Sequence, residues 1–188
     1  MYSEAEHDIK KKQMLEKSLE LFVKQGLENT SMNDLARHSN VYKAAFYTYF
    51  KSKDEIVIEC AKIYMMGLGS RLFEGIKTSG TDLMGALNRG FEILADERQK
   101  MRFVYQVVAS PKYGEISRRE LVPIYSKYLD YSEIIADFFK IDKEKFRSIY
   151  LLLVATIHDF CLWENEKFVN EKLQYIYSQI DILTKESN

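Results

Sequence analysis

Apolar residues recur along most of this chain at the three- and four-residue spacing of an amphipathic α-helix. Only two prolines interrupt 188 residues, so long stretches are free of helix breakers. The pattern predicts an all-α fold with no strand and no repeat. Nine helices are expected, over residues 8–25, 32–39, 42–50, 53–77, 83–97, 101–109, 118–139, 143–164 and 171–185. Residues 112–117 and 165–170 are expected to be loops, with Pro123 in the first turn of the seventh helix or kinking it.

Polar residues mark where the first helices begin and end. Gly26 is placed to end the first helix as a C′ glycine. Thr30 or Ser31 can cap the second helix, and Asp34 follows Ser31 at capping-box spacing. Asn40 lies in the tight turn before the third helix, where one residue with positive φ is expected.

Composition and cysteine spacing narrow the class of protein. Hydrophobic residues make up 46% of the chain, which excludes a disordered one. Cys60 and Cys161 form no CxxC pair and no disulfide framework, which favours a reducing cytoplasm. Residues 1–12 lack the apolar segment of a signal peptide, and the longest apolar run, 149–157, is too short to cross a membrane. The sequence predicts a cytoplasmic protein with no membrane partner.

Three short helices followed by a long one occupy the first part of the chain, and the second and third have the layout of a helix-turn-helix. The net charge of the whole chain is −1, yet residues 8–53 hold nine Lys and Arg against five Asp and Glu. A local basic excess of this kind is typical of a domain that reads DNA. Residues 54–188 are instead acidic, with 18 Lys and Arg against 21 Asp and Glu.

Two runs of sequence make this indication specific. Residues 18–26 read SLELFVKQG and are followed by TSM at 30–32, while residues 35–56 read LARHSNVYKAAFYTYFKSKDEI. Over residues 14–56 the chain resembles, without a gap, the N-terminal domain of the TetR/AcrR family of bacterial transcriptional regulators. Four positions depart from the family pattern and alter the surface that would read an operator: Asn40 for Gly, Tyr42 for a capping Ser, Ala44 for Gly, and Ala45 for Thr or Ser.

The resemblance and the side-chain chemistry together predict a set of DNA contacts. Hydroxyls and amides at the start of the second helix suit a phosphate, tyrosine hydroxyls can bond phosphates, and Lys43 can reach a guanine edge. The predicted contacts are Thr30, Ser31, Tyr42, Lys43, Ala45, Tyr47, Thr48, Tyr49, Lys51 and Lys53. Core packing is the alternative role for Tyr47 and Tyr49. The three lysines at 10–12 fit either a solvated helix end or a phosphate-contacting arm.

The resemblance also implies a small-molecule pocket among the fourth to eighth helices. Candidate lining residues are Tyr64, Met65, Phe91, Phe103, Gln106, Tyr128, Tyr131 and His158. Each apolar member has plain core packing as its alternative role, whereas Gln106 and His158 are polar groups in apolar helices and need partners. His158 and Cys161 share a helix face, but no further metal ligands are recognisable near them. With no polar catalytic cluster, we expect no enzyme activity, no metal and no cofactor.

The last two predicted helices carry wide apolar faces that an isolated chain could not easily bury. A two-fold four-helix bundle between two protomers would bury them, and the resemblance implies the same homodimer. Candidate interface residues are Tyr150, Val154, Ile157, Cys161, Leu173, Ile176, Tyr177 and Ile180.

The resemblance implies a division into a helix-turn-helix DNA-binding domain, residues 1–53, and a helical effector-binding and dimerisation domain, residues 54–188. The implied function is a ligand-responsive repressor, released by a small molecule from a pseudo-palindromic operator in double-stranded DNA. The alternative is a dimeric helical interaction protein that does not bind DNA. Salt dependence distinguishes the two, because binding driven by phosphates weakens steeply as salt rises.

Overall fold

The computed structural model describes residues 4–80, 82–163 and 165–186. Over these residues the chain forms nine α-helices and no strand, which confirms the all-α prediction. In chain order they are α1 (Glu4–Gln25), α2 (Met32–His38), α3 (Lys43–Tyr49), α4 (Lys53–Thr78), α5 (Leu83–Asp96), α6 (Arg98–Ala109), α7 (Gly114–Phe139), α8 (Lys143–Trp163) and α9 (Glu166–Glu186).

The ends of the first helices follow the local signals in the sequence. Gly26 follows α1 with φ of 87°, and Asn40 follows α2 with φ of 58°, both in the left-handed region. Ser31 caps α2 in a complete capping box with Asp34. Tyr42 precedes α3 without a side-chain cap, as the substitution of the usual serine predicts.

Four helices, α1, α6, α7 and α9, begin three to five residues earlier than predicted, and a capping side chain marks the earlier start of α7 and α9. The α7 helix starts at Gly114, and Ser110 Oγ accepts hydrogen bonds from two amides of the preceding turn, so most of the expected loop at 112–117 is helical. The α9 helix starts at Glu166, where Asn165 Oδ1 accepts a bond from the Phe168 amide. Pro123 lies in the interior of α7 rather than in its first turn.

The described chain divides into two compact units. The first unit comprises residues up to 67 together with 103–122, and the second comprises 68–102 and the residues from 123 onward. Three helices, α4, α6 and α7, therefore contribute residues to both units. The boundaries of the two compact units do not fall between residues 53 and 54. The division into a DNA-binding domain, residues 1–53, and an effector-binding domain, residues 54–188, therefore stays a prediction.

The core of the first unit joins the three N-terminal helices to α4 and α6. Phe46 of α3 has no exposed surface, and the rings of Phe22 and Phe103 stack with centroids 5.7 Å apart. The thiol of Cys60 is buried and donates to the Leu15 carbonyl oxygen at 3.3 Å. This burial raises the pKa of Cys60 well above its usual value, so the thiol is unreactive at neutral pH.

The core of the second unit is built on α9, whose apolar stripe is buried at every turn. It packs against α5, α7 and α8 through Leu83, Leu87, Ile135, Ala136, Phe146, Val169, Leu173, Ile176, Ile180 and Leu183. Among the described helices α8 alone is long and apolar enough to cross a membrane, a criterion that core helices of soluble proteins also meet.

Candidate nucleic-acid interface and cavity

A short hydrogen-bonded turn fixes α3 against α2. The amides of Asn40 and Val41 donate to the carbonyl oxygens of Arg37 and Ala36, each at 3.1 Å. Asn40 can hold the left-handed conformation that this turn requires, because its side chain tolerates positive φ better than most. The two helices thus form a helix-turn-helix.

One face of α3 is anchored in the core and the other is exposed. Phe46 and Phe50 are 0% and 1% exposed. Ala44 and Thr48 each lie two residues from Phe46, about 160° around the helix, and both are exposed. The exposed face of α3 consists of Tyr42, Lys43, Ala44, Ala45, Tyr47 and Thr48.

The basic start of α1 lies beside the end of α3. The rings of His7 and Tyr49 stack with centroids 4.5 Å apart, and Lys11 Nζ lies 5.6 Å from the centre of the Phe50 ring. Lys10 and Lys12, on either side of Lys11, are exposed. This placement favours a phosphate-contacting role for the lysine run over a purely solvated helix end.

Three predicted DNA contacts are already engaged within the chain. Thr30 is 1% exposed, and its hydroxyl donates to the Gly26 carbonyl oxygen at 2.7 Å, so this prediction is wrong. The Lys53 ammonium group donates to the Leu27 carbonyl oxygen and holds the α1–α2 loop instead of projecting freely. Ser31 is exposed, but its Oγ lies 2.5 Å from a carboxylate oxygen of Asp34.

The Asp34 carboxylate adds negative charge where a phosphate was expected. Hydrogen bonds from Ser31 are the main cause that lowers the pKa of Asp34, with a smaller contribution from Arg37, whose guanidinium lies 2.8 Å away. Asp34 is therefore ionised at neutral pH, which disfavours a phosphate at Ser31.

The structure brings the other predicted DNA contacts together on one surface. Tyr42 is 89% exposed and Tyr47 is 47% exposed, so core packing does not account for Tyr47. Tyr49 is half-buried beneath His7, and Lys51 is exposed just beyond α3. Ala44 was not among the predicted DNA contacts. It precedes the buried Phe46 by two residues, which places it at the centre of the exposed face of α3.

The second unit contains a small, partly open apolar cavity of about 70 Å³ between α4, α5, α7 and α8. No charged side chain lines it. The lining residues are Leu72, Phe73, Ile76, Ala86, Leu87, Gly90, Phe91, Leu94, Tyr131, Ile135, Tyr150, Leu153, Val154 and Ile157. Phe91 and Tyr131 are lining residues that the sequence analysis predicted.

The polar groups at this cavity are phenols. Tyr150 Oη donates to the Tyr128 carbonyl oxygen at 2.7 Å, and the Tyr128 and Tyr131 rings meet edge to face with centroids 5.6 Å apart. A Cβ atom at Gly69 would lie 3.2 Å from Tyr128 Oη and 3.3 Å from Tyr131 Oη, so both phenols approach α4 where it has no side chain. Burial raises the pKa of Tyr128 and of Tyr150, so both hydroxyls stay protonated.

The other pocket candidates do not join this cavity. Tyr64, Met65, Phe103 and Gln106 belong to the first unit, where Tyr64 and Phe103 are core residues. Gln106 is exposed, so the argument that it needs a buried partner is wrong.

His158 lies beside the cavity-lining Ile157, and its ring stacks on Tyr125 with centroids 6.3 Å apart. Partial burial lowers the pKa of His158, an effect that Asp159 opposes, so the imidazole is neutral at pH 7. Among the described residues no group of three or more His, Cys, Asp or Glu could hold a metal ion.

Most of the predicted dimer contacts are used inside the chain itself. Tyr150, Val154 and Ile157 line the cavity, and the Tyr177 hydroxyl lies 2.7 Å from Asn88 Oδ1. Cys161, Leu173, Ile176 and Ile180 are buried in the single chain, with exposures between 0% and 8%. The prediction is wrong for these four because helices of the chain's own second unit cover this face.

The α8 and α9 helices leave open a groove of about 520 Å³, and Ile176 is the predicted interface residue that belongs to its lining. Tyr175 and Ile182 on its α9 side are 57% and 51% exposed. An ion pair between Lys145 Nζ and Glu186 at 2.6 Å lies among the lining residues. The complete lining is Lys145, Ser148, Ile149, Leu152, Tyr175, Ile176, Gln179, Ile182, Leu183 and Glu186.

The helix-turn-helix and the exposed face of α3 define a class, the helix-turn-helix DNA-binding proteins. Residues 14–60 match the model of the bacterial regulatory proteins of the tetR family. The biofilm-operon negative transcriptional regulator IcaR of Staphylococcus aureus is 26% identical over 155 residues, which cover 78% of this chain and 81% of IcaR. The helix-turn-helix is therefore that of the TetR family of transcriptional regulators, whose model covers it within residues 14–60.

Solved structures share the fold over nearly the whole chain. A TetR/AcrR-type regulator from Aquifex aeolicus is 22% identical with a TM-score of 0.64, and the match covers 91% of this chain and 99% of that one. The multidrug binding protein EbrR, solved with imidazole, is 16% identical with a TM-score of 0.60, covering 88% of this chain and 93% of that one.

Proposed function

We propose that this chain is a dimeric repressor that binds an operator through α3 and is released from it by a small apolar molecule. The observation that carries the proposal is the exposed face of α3, held by two buried phenylalanines and flanked by exposed lysines. An α-helix presented in this way fits the major groove, and the lysines fit the phosphates on either side. IcaR, a negative regulator by its name, supports repression over activation. A protein that acts on bacterial DNA works in the cytoplasm, which is the location we propose.

The cavity in the second unit is the proposed effector site. Because its lining is uncharged, a charged ligand would lose its hydration without gaining a partner, so we propose an uncharged apolar effector. The likeness to EbrR, whose name describes multidrug binding, supports a site of this kind. The cavity is smaller than the engineered cavity of about 150 Å³ that accepts benzene, so a ligand has to widen it. We propose that widening moves α4 or α7, which would carry the change into the first unit because both helices continue into it.

Gly90 offers a direct test of the effector site. It lines the cavity in the interior of α5, and a Cβ atom there would meet nothing within 4 Å. We expect Gly90→Ala to stabilise the protein by about 0.5–1 kcal/mol in urea unfolding, because alanine is the better helix former. Gly90→Leu should fill the cavity and abolish the effect of uncharged single-ring aromatic compounds on operator affinity. That effect is expected to be about 5- to 150-fold in the unsubstituted protein.

Gly85 of the same helix supplies the control. A Cβ atom at Gly85 would lie 2.5 Å from the Asp82 carboxylate and outside the cavity lining. Gly85→Ala should therefore leave the ligand response intact. A ligand response that survives Gly90→Leu at full strength would place the effector site elsewhere.

The proposed dimer interface is the open groove between α8 and α9. It presents half-exposed apolar side chains with an ion pair among them, as an interface with an apolar centre does. A two-fold dimer would place two α3 helices to read two half-sites of a pseudo-palindromic operator.

Operator binding itself tests the function. In fluorescence anisotropy with DNA from the region upstream of the gene, we expect tight binding to one sequence over random DNA. Tyr47→Phe should weaken it about tenfold, because a hydrogen bond to a charged phosphate is lost while the ring remains. Tyr125→Phe, in the second unit, should leave the affinity unchanged. Equal binding to every duplex by all three proteins would favour the interaction-protein alternative.

A further inference from the structure

The composition of α3 restricts how it can read DNA, an inference that rests on the proposed function. The helix reads KAAFYTY and contains no Arg, Asn, Gln, Asp or Glu. The contacts of Arg with guanine and of Asn or Gln with adenine are therefore not available from this helix, which leaves Lys43 as its one side chain able to reach a guanine edge.

The exposed face of α3 carries methyl groups instead. Ala44 and Thr48 lie opposite the buried Phe46, with Ala45 beside them. The Thr48 hydroxyl already donates its proton to the Ala45 carbonyl oxygen at 2.6 Å. Lys43 is the one cation of the helix, and its Nζ lies 6.0 Å from the centre of the Tyr47 ring, at the side of the face.

We propose that α3 selects its operator through the 5-methyl groups of thymine, which contact the methyl groups of Ala44 and Thr48. Thymine alone among the four bases presents a methyl group in the major groove, and alanine and threonine are suitable apolar partners for it. Small side chains at the centre of the face also let the helix backbone approach the base edges closely. Each operator half-site should therefore contain at least one thymine whose exchange for another pyrimidine lowers affinity.

Replacement of thymine by deoxyuridine tests this directly, because it removes one methyl group and leaves base pairing unchanged. The operator is first selected with the full-length protein, and each half-site thymine is then replaced in turn. At a contacted position we expect a loss of about fourfold in affinity per methyl group, and about 15-fold when both half-sites are substituted.

Protein variants assign the contact to α3. Thr48→Ser removes one methyl group and keeps the hydroxyl, and Ala44→Gly removes the other methyl group. Each variant should bind the unsubstituted operator more weakly than the original protein does. At the one thymine whose methyl group it no longer contacts, replacement by deoxyuridine should then lower affinity less than twofold. Thr78→Ser is the matched control, since Thr78 also donates to the carbonyl oxygen three residues earlier, at 2.9 Å, but lies far along α4. Circular dichroism establishes that Ala44→Gly is folded.

The outcomes separate this inference from the proposed function. Selective binding that is unchanged, within twofold, by deoxyuridine at every position overturns methyl readout and points to recognition of DNA shape, while the repressor function stands. A deoxyuridine effect that persists in full in both variants also overturns the assignment to α3. Binding to no duplex in preference to another contradicts the inference and the proposed function together.

Discussion

Operator affinity is expected to fall about 10³-fold when the salt concentration rises from 50 to 200 mM. Lys10, Lys12 and Lys51 are exposed around α3, which gives six phosphate-directed cations in a dimer. Each phosphate contact releases condensed counterions, so log K should fall with log salt with a slope of about −5. Anisotropy titrations at four or five salt concentrations measure this slope. A slope near zero would contradict DNA binding through this surface.

Two neighbouring lysines sharpen the experiment. Lys51 is exposed, whereas the Lys53 ammonium donates to the Leu27 carbonyl oxygen. Lys51→Ala should reduce the slope by about two, one contact for each protomer. Lys53→Ala should lower the free energy of unfolding by about 1 kcal/mol and change the slope little, because its main contact is within the chain. Lys127→Ala on the exposed part of α7 should change neither quantity.

The DNA-binding unit was predictable from sequence because its determinants are local. A glycine, a capping box and an asparagine with positive φ fix where α1, α2 and α3 begin and end. The i,i+4 pair of Phe46 and Phe50 then fixes which face of α3 is buried. Interactions over a few residues carry this information, so reading it requires no tertiary structure.

Thr30 and Lys53 were misassigned for the opposite reason. Both have the right chemistry for a phosphate, but each bonds to a carbonyl oxygen of the α1–α2 region. Which of two available partners a polar side chain takes depends on its three-dimensional surroundings. The sequence specifies the donor and leaves the acceptor undetermined.

The second unit shows the same limit for apolar surfaces. The α8 and α9 stripes were predicted to need a second protomer, yet the chain itself buries Leu173, Ile176 and Ile180 of α9, whereas the α8 stripe is only partly buried except at Cys161. An apolar stripe indicates that a face is covered without indicating by which element. The sequence likewise predicts only Phe91 and Tyr131 of the cavity lining, because Gly90 and Leu153 carry no signal that separates a cavity from a core.

Ile182→Glu is expected to dissociate the dimer at micromolar concentration and to weaken operator binding at least 100-fold. Ile182 is 51% exposed in the groove between α8 and α9, where the proposed partner would bury it. Lys145 in this groove is already paired with Glu186, so a second carboxylate buried there loses its hydration without a free counter-ion, which costs several kcal/mol. Loss of the dimer unlinks the two α3 helices, and linkage of two binding sites raises overall affinity by about 10²–10⁴-fold.

Light scattering coupled to gel filtration measures the mass, and the operator titration measures the affinity, for Ile182→Glu beside Ile134→Glu. Ile134 is the matched control because it is an exposed isoleucine of the same unit, 46% exposed, but lies on α7. A dimer that survives Ile182→Glu and dissociates with Ile134→Glu would move the interface to α7. The expected result is dissociation by Ile182→Glu alone, with a parallel loss of operator affinity and a monomer that still unfolds in one cooperative melting transition. It would establish that this groove joins the two DNA-reading units.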